Sequence, residues 1–287
     1  LEWFTEDPET DVGLCYVEGL SDGREFFNRV RDVTPHMPVV VVKGGATSGG
    51  QRAAASHTGS LASDDRVFDG MARQAGLVRT ATIEAAFEAA ATFATQPLPD
   101  GGGVVVLSTA GGWGVVTADA VTTHRYLDLT PLPDDLEAAV DGMLPPRWSR
   151  NNPVDLAGGE TRDTIPELLD LVAGHPEVDS IVQLGLGIQG NTAALTRSGS
   201  FYPDHGLERI VDFHERQECR YAEAAATASS TYGKPVLVAS ELAVTQPANP
   251  MVAAVRNTNR LCYPSADRAV AALGHLVQYA TWLRARA

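Results

Sequence analysis

Short runs of branched apolar residues recur along the chain and predict buried strands. They occupy residues 12–17, 38–43, 104–108, 179–184 and 235–239, with a shorter one near 77–79. The runs do not alternate cleanly with polar residues, which is typical of strands buried on both faces of a parallel sheet. Amphipathic or alanine-rich segments between them predict helices at 23–32, 82–95, 163–173, 206–232 and 266–284. Strand and helix alternate, which indicates an α/β fold with doubly wound parallel sheets.

The stretch QPLPDGGG at residues 96–103 is the clearest break in this pattern. Its prolines cannot continue a helix and its glycines leave the backbone loose, so we predict a domain boundary there, with domains at 1–98 and 99–287. The first domain has few strands for an open sheet, and we expect it to lack its N-terminal strands. Residues 185–205 are polar and unperiodic and are predicted to form a long loop.

Composition acts mainly by excluding classes of function. The net charge of -14 argues against binding to nucleic acid or to an anionic membrane surface. No apolar run approaches the ~20 residues of a membrane helix, and the N-terminus has no signal-peptide core. The chain does not begin with Met, so we expect a fragment or a processed product. Cys15, Cys219 and Cys262 form no CxxC pair, which favours a reduced, cytoplasmic protein over a disulfide scaffold or a zinc site.

One histidine stands in a stretch of very small residues, GGATSGGQRAAASHTGS at 44–60, directly after a predicted strand. Open α/β sheets bind ligands at the carboxyl ends of their strands. The small neighbours Ser56, Thr58 and Gly59 leave the imidazole of His57 accessible as a base, acid, metal ligand or nucleophile. Metal-ligand spacing, GxSxG and the Walker pattern are missing, so no metal site, serine hydrolase or P-loop is predicted.

A second glycine-rich segment, STAGGWGVVTADAV at 108–121, follows the strand at 104–108 and opens a helix. Gly111, Gly112 and Gly114 would present unpaired backbone N–H groups at the helix N-terminus, which attracts anions. A tight strand-to-helix turn without a ligand explains the same glycines equally well.

Three blocks, in this order, resemble the nucleoside-diphosphate-forming acyl-CoA synthetases, which are relatives of succinyl-CoA synthetase. The blocks are residues 43–79, containing SHTGS, residues 108–121, and NNPVDLAGG at 151–159. The likeness includes EDPETDVGLCYVEGL near the start and YPSADRAVAAL near the end, whereas residues 185–232 depart from it. The resemblance implies two flavodoxin-like domains and an acid–thiol ligase.

The resemblance also implies roles for individual residues. In the family, acyl-CoA and phosphate give acyl phosphate and CoA. The acyl phosphate phosphorylates a histidine, matched here by His57, and the phosphohistidine passes the group to a nucleoside diphosphate. Glu18 matches the glutamate that holds the imidazole. The turn of Gly111, Gly112 and Gly114 resembles one of two opposed helix N-termini that neutralise the phosphohistidine, and no counterpart of the other precedes residue 18.

Several assignments have a structural alternative. Glu18 could be a solvated strand-end carboxylate, and Asn152 and Asp155 of the NPVD block are good turn formers. Trp113 either walls the phosphohistidine pocket or packs on the next domain. Lys43 either meets a phosphate or closes a salt bridge at a strand end.

The resemblance implies CoA, ATP or ADP and Mg²⁺ as substrates, bound mainly by CoA-binding and ATP-grasp domains outside this chain, with no tightly bound cofactor. Those domains would lie on the same polypeptide or on a partner subunit, and an oligomer is expected. The alternatives are a regulatory or scaffolding module without catalysis, and a CoA-dependent transferase or binding module on the same fold.

Overall fold

The computed structural model describes residues 1–58, 64–156, 158 and 161–286, and for His57 and Thr58 it describes the backbone alone. The chain divides into two compact units. Unit 1 comprises Leu1–Ala94 and Gln278–Ala287, and unit 2 comprises Thr95–Val277. Each unit contains its own parallel sheet, which confirms the α/β fold class.

Unit 1 has a three-stranded parallel sheet in the order β1-β2-β3. Its elements in chain order are α1 (Glu2–Thr5), β1 (Gly13–Val17), α2 (Gly23–Val33), β2 (Val39–Lys43), α3 (Ser48–Thr58), α4 (Asp65–Ala75), β3 (Val78–Thr80) and α5 (Ile83–Thr95). The central strand β2 is buried along its whole length, because apolar clusters cover both faces of the sheet. Strand β1 is at the edge and exposes Leu14 and Tyr16.

Helix α3 was not predicted, because GGATSGG looks like a loop. Gly45 takes a left-handed φ of 72°, and Thr47 then caps the helix, its hydroxyl accepting from the N–H of Gly50 at 3.2 Å. The alanines that follow favour the helix strongly enough to tolerate its two glycines. The backbone of His57 therefore lies in the last turn of a helix.

Unit 2 has a six-stranded parallel sheet in the order β5-β4-β7-β8-β9, with β6 also paired to β4. Its elements are β4 (Gly103–Ser108), α6 (Gly111–Thr123), β5 (Asp128–Leu129), α7 (Asp134–Asp141), β6 (Val154–Asp155), α8 (Thr164–Gly174), β7 (Ser180–Leu184), α9 (Ile188–Arg197), α10 (Leu207–Tyr232), β8 (Val236–Ala239), α11 (Leu242–Thr245), α12 (Pro250–Asn257), β9 (Cys262–Tyr263) and α13 (Ala266–Arg284). Strands β7 and β8 are buried at every position, as the unbroken apolar runs predict.

The predicted loop at 185–205 is wrong over much of its length, because α9 (Ile188–Arg197) lies within it. Gly185 and Gly187 have positive φ values of 78° and 100°, and they turn the chain from β7 into this helix. A Cβ on Gly187 would lie 2.4 Å from Leu242 Cδ1, so only glycine fits this turn.

The last turns of α13 belong to unit 1. The hydroxyl of Tyr279 donates to the carbonyl of Thr34 at 2.6 Å, and Trp282 Nε1 donates to the carbonyl of Gln74 at 3.3 Å. Gly76 ends α4 in the left-handed region, and a Cβ there would meet the indole of Trp282 at 2.5 Å. The C-terminal segment is therefore part of the packing of unit 1.

Within the described ranges, no helix is long and apolar enough to cross a membrane.

Candidate functional site

Glu18 follows β1 at the carboxyl edge of the first sheet. Val17 pairs with Lys43 in the register of β1 and β2, so Glu18 lies beside Gly44, the residue that opens the chain segment leading to α3. The hydroxyl of Tyr16 donates to Glu18 Oε1 at 3.0 Å, and this hydrogen bond raises the pKa of Tyr16. The carboxylate is half-buried and is held in one orientation at the edge where open sheets bind ligands.

Lys43 fastens the ends of the two strands together. Its ammonium donates to the carbonyl of Glu18 at 2.8 Å and to the carbonyl of Gly44. The side chain is only 6% exposed, and burial lowers its pKa. These two contacts are to backbone carbonyls rather than to a phosphate or a carboxylate, so the cation of Lys43 stabilises the strand ends and positions the backbone of Glu18.

Gly44 is required by the close approach of these side chains. A Cβ at this position would lie 2.6 Å from the hydroxyl oxygen of Tyr16 and 3.2 Å from Cγ of Glu18. The tyrosine, the glutamate and the glycine therefore form one packed group at the strand ends.

The predicted residues on and after α3 are described only in part. Ser56 is exposed, and its hydroxyl donates to the carbonyl of Ala53 at 2.8 Å within the helix. The side chains of His57 and Thr58 and all of Gly59 lie outside the described residues. Unit 1 thus contains both Glu18 and the backbone of His57, and the contact between their side chains stays a prediction.

In unit 2, the glycine turn opens α6 as predicted. The helix begins at Gly111 after Ala110, which has no side chain able to cap it. The hydroxyl of Ser108 organises the turn, accepting from the N–H of Ala110 at 3.1 Å and donating to the carbonyl of Ala110 at 2.7 Å. The first N–H groups of a helix have no partner within the helix and can bind an anion.

The three glycines of this turn have different surroundings. A Cβ on Gly111 would lie 2.4 Å from Asp155 Oδ2, and a Cβ on Gly114 would lie 3.2 Å from Cβ of Pro153. A Cβ on Gly112 would meet nothing within 4 Å. Close packing therefore explains Gly111 and Gly114, whereas the space over Gly112 is open.

Asp155 places a carboxylate against the first residue of α6. It lies in β6, opposite Ser108 of β4, and the N-terminal end of a helix dipole favours a negative charge there. A phosphoryl group that approached the same end would meet this carboxylate and would have to share the N-terminal field with it. Asp155 thus lies close to the predicted anion site at the start of α6.

The side chain of Asn152 forms hydrogen bonds with backbone groups of the second sheet. Its amide Nδ2 donates to the carbonyls of Val104 and Thr130 at 2.7 and 2.8 Å, and its Oδ1 accepts from the N–H of Val106 at 3.0 Å. These bonds join the NPVD turn to β4 and to the residue after β5, and they give Asn152 a structural role.

A second polar group lies beyond a strand end and was not predicted from the sequence. Glu218 of α10 is 1% exposed and accepts from the N–H groups of Gly187 at 2.9 Å and Gln189 at 2.8 Å, at the start of α9. Burial raises its pKa, and the backbone hydrogen bonds oppose that shift. The carboxylate of Glu218 thus occupies the N-terminus of α9, a position that can bind an anion. The sequence around Glu218 gives no signal for it, because other charged and polar residues surround this glutamate in the helix.

Within the described part of the chain, no group of three or more His, Cys, Asp or Glu residues could hold a metal ion.

Comparison with known proteins gives two domain matches. Residues 1–93 match the family described as succinyl-CoA ligase like flavodoxin domain, and residues 104–189 match the ligase-CoA domain. The chain thus contains these two kinds of domain, and together the two matches cover more than half of it.

The curated relatives in question are ADP-forming CoA ligases. The chain is 37% identical over 187 residues to the alpha subunit of ADP-forming acetate–CoA ligase I from Pyrococcus furiosus, covering 64% of this chain and 39% of the relative. It is 32% identical over 212 residues to an ADP-forming 4-hydroxybutyrate–CoA ligase from Nitrosopumilus maritimus, covering 72% of this chain and 28% of the relative. The chain therefore spans well under half the length of these relatives.

A solved structure agrees with both findings. The dinucleotide forming acetyl-coenzyme A synthetase 1 of Ca. Korarchaeum cryptofilum, in complex with phosphate and ADP, superimposes with a TM-score of 0.77 at 26% identity, covering 99% of this chain and 56% of that one. The chain is thus similar in sequence and in fold to part of the ADP-forming acyl-CoA ligases, which agrees with the resemblance of its sequence blocks.

Proposed function

We propose that this chain is the phosphohistidine-carrying core of an NDP-forming acyl-CoA synthetase. In the direction of nucleotide synthesis, phosphate attacks the acyl-CoA thioester, and acyl phosphate and CoA are formed. The imidazole then takes the phosphoryl group and releases the carboxylic acid. Finally, a nucleoside diphosphate takes the group from the histidine, which regenerates the imidazole.

His57 is the nucleophile of the second step in this proposal, and Glu18 is its positioning partner. A carboxylate that accepts the N–H of one ring nitrogen leaves the other nitrogen free to attack, and it stabilises the positive charge that develops on the ring. The observation that carries the proposal is the construction around Glu18. Tyr16, Lys43 and Gly44 hold this carboxylate at the sheet edge, on the strand next to the one that leads to α3.

The start of α6 supplies the anion-stabilising group of the proposal. A Cβ on Gly112 would meet nothing within 4 Å, so the space beside this residue admits a phosphoryl oxygen without steric conflict. A helix N-terminus stabilises a nearby anion by about 0.3–1 kcal/mol at exposed sites and by up to about 2 kcal/mol at partly buried ones. The carboxylate of Asp155 reduces this attraction, which favours a site that binds the phosphoryl group transiently and releases it.

The other reactants need further domains. We infer that CoA and the nucleotide with Mg²⁺ bind to CoA-binding and ATP-grasp domains on the same polypeptide or on a partner subunit. The name of the Pyrococcus furiosus relative, which is an alpha subunit, supports the second arrangement. The free thiols Cys15, Cys219 and Cys262 are compatible with a reduced compartment, and we place the reaction in the cytoplasm.

The proposal is tested by chemical phosphorylation of the chain with radiolabelled acetyl phosphate. We expect a label that is lost in acid and kept in base, and that is absent from His57→Ala. His36→Ala is the matched control, because His36 is also in unit 1 and is exposed. Equal labelling of wild type and His57→Ala, or no labelling of wild type, favours the alternative of a regulatory module without catalysis.

A further inference from the structure

Unit 2 contains a pocket of about 430 Å³ at the carboxyl edge of its sheet. One wall is the first two turns of α6, with Trp113 and Val116, and the floor contains Leu184 at the end of β7 and Ala239 at the end of β8. The start of α13 closes the other side. A pocket of this size at the carboxyl ends of parallel strands is within the usual range of about 300–1,000 Å³ for ligand sites.

The lining is apolar with an acidic rim. Apolar atoms make up most of its surface, and hydroxyl groups from two serines and a threonine supply neutral polar contacts. Glu241 and Asp267 are the charged residues that line it, and both are exposed. Among the described residues that line the pocket there is no Lys, Arg or His, so an anionic group inside it would meet the two carboxylates without a cation from these residues.

The pocket is next to the helix turn that the proposed function assigns to phosphoryl transfer. Trp113 is 43% exposed, lines the pocket and directly follows Gly112 in sequence. A reacting acyl group has an anionic head and a tail, and the head must be where the phosphoryl group is transferred. The apolar pocket is adjacent to this position, so the tail of the acyl group can bind in it.

We propose that this pocket holds the tail of the acyl group, and that Glu241 and Asp267 make the site selective for monocarboxylic acyl groups with uncharged tails. The assignment of the head rests on the proposed function, whereas the pocket's preference for uncharged tails does not. A dicarboxylic acyl group would carry its second carboxylate toward the acidic rim and is disfavoured by like-charge repulsion.

The first experiment measures the dissociation constants of butyrate and phenylacetate for the chain by saturation-transfer NMR. Val116→Phe fills the pocket from an exposed position on α6, and Val115→Phe, one residue earlier and outside the lining, is the matched control. We expect Val116→Phe to weaken binding about tenfold or more and Val115→Phe to change it less than about twofold. Absence of binding to wild type, or equal effects of the two variants, overturns the proposal.

The second experiment compares succinate with butyrate. We expect wild type to bind succinate at least about tenfold more weakly, and the double variant Glu241→Gln, Asp267→Asn to recover most of this difference without changing butyrate binding. Equal binding of the two acids by wild type, or no recovery in the double variant, contradicts the selective role of the two carboxylates.

The outcome is separable from that of the proposed function. His57→Ala is expected to keep wild-type affinity for butyrate, because the described residues that line the pocket all belong to unit 2. Selective binding without phosphorylation of His57 would support the proposed acyl pocket and contradict the proposed reaction. Phosphorylation of His57 without selective binding would support the reaction and contradict the pocket.

Discussion

At the scale of single residues, the contacts of Glu18 show how a predicted site residue is fixed in position. Glu18 receives a hydrogen bond on its carboxylate from Tyr16 of the strand that it follows, and another on its backbone carbonyl from Lys43 of the neighbouring strand. Such contacts fix a side chain before a reaction begins, which is what a positioning group needs.

Replacing Glu18 by Gln tests this role. The amide oxygen can still accept from Tyr16, so the fold is kept, while the negative charge that stabilises a positively charged imidazole is lost. We expect the rate of phosphohistidine formation from acetyl phosphate to fall roughly 10²-fold, with a pH profile that differs from wild type. Tyr16→Phe, which removes one hydrogen bond and no charge, is the control. A rate unchanged by Glu18→Gln would make Glu18 a solvated strand-end carboxylate.

The glycines at the start of α6 allow a matched pair of substitutions. Gly111→Ala forces a methyl group against Asp155 and is expected to destabilise the chain by about 1–3 kcal/mol, the usual cost of overpacking. Gly112→Ala places its methyl group in open space, and we expect the free energy of unfolding to stay within about 0.5 kcal/mol of wild type. Urea denaturation measures both, and equal destabilisation would show that the space over Gly112 is not open.

At the scale of elements, α9 shows how a helix depends on a distant side chain. Its N-terminal N–H groups donate to Glu218, which is on α10. Buried amides without partners are costly, so the carboxylate stabilises the helix start.

The raised pKa of Glu218 gives a pH dependence whose sign is fixed. A carboxyl whose pKa is raised in the folded state binds more protons there than in the unfolded chain, so its contribution to stability is fully present below the ordinary value of 4.5 and is lost as pH rises through the raised value. We expect wild type to lose stability relative to Glu218→Gln over that window in urea denaturation. A difference that grows in favour of wild type as pH rises would contradict this assignment.

The elements also show what the sequence could and could not predict. Strands β2, β4, β7 and β8 were predicted because unbroken branched apolar runs suit positions buried on both faces. Helices α3 and α9 were missed because their glycines hide a cap by Thr47 and a buried contact with Glu218, and such contacts come from the tertiary structure. The roles of Asn152 and Lys43 were likewise set by backbone carbonyls that no sequence pattern reveals.

At the scale of the whole molecule, the chain forms two units with separate sheets and cores. The end of the last helix is part of unit 1, where the hydroxyl of Tyr279 is buried and its pKa is raised to about 12 by that burial. The backbone of His57 belongs to unit 1 and the glycine turn belongs to unit 2.

Tyr279→Phe tests the part that the C-terminal segment takes in unit 1. The loss of the hydrogen bond to Thr34 is expected to destabilise unit 1 by about 1–2 kcal/mol, because a buried carbonyl loses its donor. Hydrogen exchange should become faster in β1–β3 and stay unchanged in β4 and β7. Tyr232→Phe is the control, since the bond from its hydroxyl to Asp170 is at the surface. Faster exchange confined to unit 2 would contradict the assignment.

The central claim is that His57 carries a phosphoryl group, and peptide mapping of the phosphorylated chain tests it most directly. Trypsin cleavage at Arg52 and Arg66 releases residues 53–66, which contain this histidine together with several hydroxyl side chains. After treatment with acetyl phosphate, mass spectrometry under alkaline conditions should place one acid-labile phosphate on His57. A phosphate that resists acid, or that is attached to a serine of the same peptide, would contradict the account.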